Sequence, residues 1–116
     1  MKEFKGNNGK WEVGKEEMTV ISDSRNNIPT DTGHDDIQYY GGYLIAESIY
    51  NKEDAKLIAA APEMLKALLE TDKDLCVLEG NMAQIEKTDP RAEGMTALVT
   101  GWRTRNKEVI NKALGL

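Results

Sequence analysis

From Asn51 onward the apolar residues of this chain recur at helical spacing, and two prolines, Pro62 and Pro90, punctuate the run. Such a stretch folds as helices with an apolar stripe, and the stripe must then be covered. Asn51 with Asp54 three positions later is a capping arrangement, although the acid is Asp where Glu or Gln is preferred. Pro62 has no N–H to donate and disfavours helical geometry at Ala61, so a kink or a restart is expected there. Beyond it Leu65, Leu68, Leu69, Leu75, Cys76, Met82 and Ile85 keep the period, with Gly80 weakening the middle. Cys76 on that stripe should be a buried thiol, not a reactive one. Asp89-Pro90 joins a good N-cap to a proline suited to the first helical position. It should open a last helix striped by Met95, Leu98, Val99, Trp102, Val109, Ile110 and Ala113 and stopped by Gly115. With so short a connection, the two long helices should pack as an antiparallel hairpin.

The first half reads differently. Lys10–Val13 and Met18–Ser22 are short β-branched or aromatic runs, separated by Gly14-Lys-Glu-Glu17, which has the length of a hairpin loop. Residues 22–27 form a turn cluster, Ile28-Pro29 could be a short edge strand, and Thr30 to Asp36 is a polar loop. The later part of Tyr39–Ile49 is the most strand-like segment and is expected to lie centrally. The predicted fold is therefore α+β, with a small N-terminal antiparallel sheet of three to four strands. A kinked helix and a C-terminal antiparallel helical hairpin follow, in a single domain over 1–116 with a strand-rich half, 1–50, and a helical half, 51–116.

Composition limits the class of function. At 116 residues, 40% apolar and 30% charged, the chain can bury a core without staples. Its longest unbroken apolar stretch, Leu57 to Pro62, is far short of the roughly 20 residues that span a bilayer. A polar N-terminus and a lone cysteine fit a cytoplasmic protein without a disulfide. A net charge of −5 argues against general nucleic-acid binding. Only the C-terminal end is basic, with Arg103, Arg105, Lys107 and Lys112 against Glu108. Cations there also oppose the helix macrodipole and need no anion to explain them.

The run Asp54-Ala-Lys-Leu-Ile-Ala-Ala-Ala-Pro-Glu-Met-Leu-Lys-Ala-Leu68 resembles the signature helix of a widespread group of small phage and prophage proteins. Members share an early Trp-Glu-Val strand, a strand ending in Ile-Ala, and a tail like Ile-x-Lys-Ala-x-Gly. Trp11-Glu-Val13, Ile45-Ala46 and Ile110 to Gly115 match these landmarks. Met64 departs from the more usual Leu, a volume-conserving change. The resemblance implies origin and architecture far more than activity. Read from the residues alone, the same run is a core helix packed closely at its three consecutive alanines.

Candidate chemistry is sparse. Thr30-Asp-Thr-Gly33 contains the aspartic-protease triplet, but it follows Asn-Ile-Pro and precedes His-Asp-Asp in a chain whose second half is helical. Asp31, His34, Asp35 and Asp36 carry donors for a divalent metal, yet no second histidine stands near, and a solvated acidic loop explains them. Gln38-Tyr-Tyr-Gly-Gly-Tyr43 is more suggestive. Tyr39, Tyr40 and Tyr43 offer flat amphipathic surfaces and the glycines let a ligand approach the backbone, although a turn into a strand has the same appearance. Arg25, or Arg103 and Arg105 from a neighbouring subunit, could meet a phosphate there.

The expectation is a non-enzymatic phage accessory protein that binds, with no catalytic residue, metal or cofactor. It is expected to self-associate as a homo-oligomer and to counter a host defence, by sequestering a nucleotide signal or inhibiting a host defence protein. A protein–protein adaptor using the helical hairpin is the alternative, and an Asp-dependent hydrolase a remote one.

Overall fold

The computed structural model describes residues 4–28 and 37–116, and the chain separates into two compact units, one ending at Met64 and the other Leu65–Leu116. Pro29 and the polar segment with Asp31, Gly33, His34, Asp35 and Asp36 lie outside the described residues.

The first unit is built on a sheet of three strands: β1 (Trp11–Val13), β2 (Val20–Ser22) and β3 (Tyr43–Ala46), in the order β1-β2-β3 and antiparallel throughout. Trp11 faces Ser22 and Val13 faces Val20, while Ser22 also faces Tyr43 and Ile21 faces Leu44. An irregularity between Val20 and Ile21 brings Val20 opposite Ala46. The central strand is thus β2, not β3 as the sequence suggests. Strands that follow one another as a meander put the second between the first and third. All three β2 residues are buried, as a strand covered on both faces requires.

The β1–β2 connection is the expected hairpin. The Gly14 N–H donates to the Thr19 carbonyl at 2.9 Å, and Glu17 takes up a left-handed φ of 57° at the turn. Ile28 is not part of a strand; its N–H closes a turn onto the Arg25 carbonyl at 3.1 Å. A short helix, α1 (Ile37–Tyr40), precedes β3, a feature that four residues are too few to announce in sequence.

Helix α2 (Lys52–Thr88) begins where the capping pattern places it. The Asn51 side chain accepts the Glu53 N–H at 2.8 Å and its carbonyl accepts the Ala55 N–H at 3.2 Å. The helix passes through Pro62 without a restart. Its fully buried alanine is Ala55; Ala59 and Ala60 are half-buried and Ala61 is exposed, so close packing does not fall on the three consecutive alanines.

In the second unit the later part of α2 pairs antiparallel with α3 (Met95–Leu114). Asn106 donates to the Leu68 carbonyl at 3.0 Å, Thr100 to Glu79 at 2.8 Å, and the Gly94 N–H to Glu86 at 2.6 Å. Asp89-Pro90 opens only a single 3₁₀ turn, Pro90–Ala92, with Asp89 accepting the Arg91 N–H. The Arg91 side chain adds to that bond and holds Asp89 below its ordinary 3.8. Helix α3 starts later than the sequence suggests because Gly94, at φ 86°, is left-handed and interrupts the path. Gly115, also left-handed, closes α3 with Leu116 donating to Asn111 and Gly115 to Lys112, the paired bonds of a Schellman motif.

Val99 and Ile110 are the buried apolar residues of this unit among those described. Cys76 is exposed, contrary to the expected buried thiol. A helix with one neighbour covers only its 3-4 seam, and Cys76 lies one residue off it. No helix among the described residues is long and apolar enough to cross a membrane.

Candidate functional site

The first unit holds an open cleft of about 290 Å³, walled by Phe4, Trp11, Ile28, Leu44 and Ile45, with Gly6, Asn7 and Asn27 at its edges. Its construction starts at Asn7. This residue is only 5% exposed, and its side chain works as a hub for three segments. Its amide nitrogen donates to the carbonyls of Ser24 at 2.6 Å and Asn26 at 2.7 Å. Its amide oxygen accepts the Gly9 N–H at 3.0 Å and the Ser22 hydroxyl at 2.5 Å. The Trp11 indole N–H points at the same residue, 3.2 Å from its carbonyl and 3.3 Å from its side-chain oxygen.

Those bonds fix the orientation of the indole. Phe4 meets Trp11 edge-on, with ring centroids 6.4 Å apart and planes at 64°. The Asn27 amide donates to the Gly6 carbonyl at 2.9 Å, tying the 25–28 turn to the N-terminal segment. The polar groups of Asn7 and Trp11 are thus engaged within the protein, and the walls offer aromatic and aliphatic surface. Such a site favours a flat or apolar group over a strongly polar one.

None of the six residues singled out from sequence forms a wall of this cleft. Arg25 is exposed in the turn that leads to Asn27 and Ile28. Tyr39 and Tyr40 sit on α1 with their rings edge-on at 4.8 Å; Tyr39 is exposed, and the Tyr40 hydroxyl donates to Glu47 at 3.4 Å. Tyr43 is on β3 opposite Ser22. Gly42 is buried, and a Cβ added there would stand 2.8 Å from the Ile21 side chain and 3.1 Å from the Ser22 carbonyl. The close approach that this glycine permits is therefore taken by β2. Gly41, at φ 85°, makes the turn into β3.

Arg103 and Arg105 belong to α3 in the second unit. Arg103 is engaged in its own hairpin, 3.1 Å from Glu79 and 3.6 Å from Asp72. Burial of the guanidinium works against its charge, but its electrostatic interaction with Cys76, Asp72 and Glu79 outweighs that and holds its pKa above the ordinary arginine value. Arg105 is exposed.

Sequence reading missed the cleft because its signals are dispersed. Phe4, Asn7 and Trp11 look unremarkable in a polar N-terminal stretch, and Asn7 gains its role only through contacts 15 to 19 residues away. Comparison with curated proteins and with solved structures finds no match. A family model does match, over residues 1–116, and its description is Salmonella phage P22 protein Y8K6. The apolar cleft, the small sheet and the helical hairpin are therefore parts of a phage protein, and the chain belongs to the Salmonella phage P22 protein Y8K6 family.

Proposed function

We propose that this phage protein acts by binding and not by catalysis, and that the cleft of its first unit receives a planar ring. The observation that carries the reading is the wall of Phe4 and Trp11, whose indole is locked in place by Asn7. A preorganised aromatic wall stacks a nucleobase at little ordering cost. Arg25, in the turn that supplies Asn27 and Ile28, is the side chain suited to the phosphate of such a ligand. Family membership supports a phage setting, in which withdrawing a nucleotide signal would blunt a host defence.

The test is fluorescence. In a Trp102→Phe background Trp11 is the sole indole, and cyclic and linear purine nucleotides should quench it saturably. Phe4→Ala should weaken binding by about tenfold, since base stacking contributes on the order of 1–3 kcal/mol. Arg25→Ala should weaken nucleotides but not the free bases. Absence of saturable quenching by any nucleotide would overturn the nucleotide reading. Quenching by a Phe- or Tyr-bearing peptide in its place would favour the adaptor.

A further inference from the structure

The two-helix unit has two unlike sides. The seam between α2 and α3 follows 3-4 spacing: Leu68, Asp72, Leu75 and Glu79 on one helix, Val99, Arg103, Asn106 and Ile110 on the other. Stepping one residue forward from the seam gives Thr100, Thr104 and Lys107, which line a polar groove with Glu79 and Arg103. Stepping one residue back gives Leu98, Trp102 and Val109 on α3, and Leu78 and Ile85 on α2. In two antiparallel helices the backward steps of both fall on the same side of the pair.

That side is apolar and uncovered. Met95, Leu98, Trp102 and Val109 repeat the 3-4 spacing with exposures of 40–52%, and Ile85 is 42% exposed. Helix α3 therefore carries two adjacent seams, the pattern of a helix with two helical neighbours, whereas this unit supplies one.

The charges on this side indicate which neighbour fits. Continuing the same spacing along α3 leads from Trp102 to Arg105 and from Val109 to Lys112; on α2 it leads from Leu78 back to Asp74. All three are exposed. Asn106 bonds at Leu68 and Arg103 reaches Asp72, so Arg105 lies within about one helical turn of the level of Asp74. A two-fold axis parallel to the helices stacks α2 of one copy, antiparallel, on α3 of the other at equal height. It brings Asp74 to the same flank as Arg105 of the partner subunit, within about one helical turn in height. A perpendicular axis would stack α2 on α2 and leave these charges unmatched.

We infer that this face is a self-association surface, on which a second copy of the chain completes an antiparallel four-helix bundle with α2 of each copy on α3 of the other.

The test uses the full chain and reverses charge one side at a time. Asp74→Arg and Arg105→Asp each place like charges together twice per dimer, so each alone should weaken self-association by about tenfold, read by sedimentation equilibrium. Mixed in equal amounts, the two variants should form a heterodimer of near wild-type strength, because every reversed charge then meets its opposite. Both substitutions fall on exposed helical positions, and unchanged far-UV circular dichroism would show that the fold is kept. Leu98→Glu should give a folded monomer. A wild-type chain that stays monomeric at high concentration would overturn the inference. So would single variants that associate like wild type, or a mixture that fails to recover.

Discussion

At the scale of single residues, the side chain that does most for this fold is Asn7, which no local pattern marks. Its amide satisfies two carbonyls, a backbone N–H and a buried hydroxyl, and it sits beside the indole that walls the cleft. Removing it leaves the Ser22 hydroxyl, 1% exposed as a residue, without its acceptor. Asn7→Ala should therefore cost about 3 kcal/mol, more than a single neutral hydrogen bond, because buried partners are left unpaired. Urea unfolding followed by tryptophan fluorescence would show this as a lower midpoint. Ser22→Ala removes only one spoke of the hub and should cost roughly 1 kcal/mol. Equal losses for the two variants would contradict the hub. Arg103 works in the opposite sense to the expected ligand role: two carboxylates surround it, and an anion would have to displace them.

At the scale of elements, the helices are governed by their ends and their exposed interiors. Gly80 lies exposed within α2, and a Cβ built there meets nothing within 4 Å. Gly80→Ala should stabilise the protein by about 1 kcal/mol, seen as a higher urea midpoint with an unchanged slope. Gly115 is the contrasting case, since its φ of 75° suits glycine and ends α3. The Asn51 cap, the Gly115 stop and the hairpin loop at residues 14–17 were legible in sequence because each depends on a few neighbouring residues. The central place of β2 and the exposure of Cys76 were not, since both depend on which elements become neighbours. The α3 start at Met95 shows the same limit in miniature. Asp89-Pro90 does cap a turn as its chemistry requires, but the left-handed Gly94 decides where the helix begins.

At the scale of the whole molecule, the two indoles report different events. Trp11 belongs to the cleft of the first unit and Trp102 to the uncovered face of the second. If two copies share a bundle, association and folding of the second unit are linked, and its stability must depend on protein concentration. A tenfold rise in concentration contributes on the order of 1.4 kcal/mol to such an equilibrium. For a domain near this size that corresponds to a thermal midpoint higher by about 5 °C. The shift should appear in Trp102 fluorescence of a Trp11→Phe chain, where Trp102 is the sole indole, and vanish when Leu98→Glu is added, which removes the apolar contact without touching the seam to α2. A planar ligand in the cleft raises stability through its own concentration instead, so dilution of the protein at fixed ligand separates the two effects. A Trp102 midpoint that stays constant over roughly hundredfold dilution would mean that the hairpin is stable without a second copy. The apolar stripe on α3 would then belong to another partner, as the adaptor reading requires.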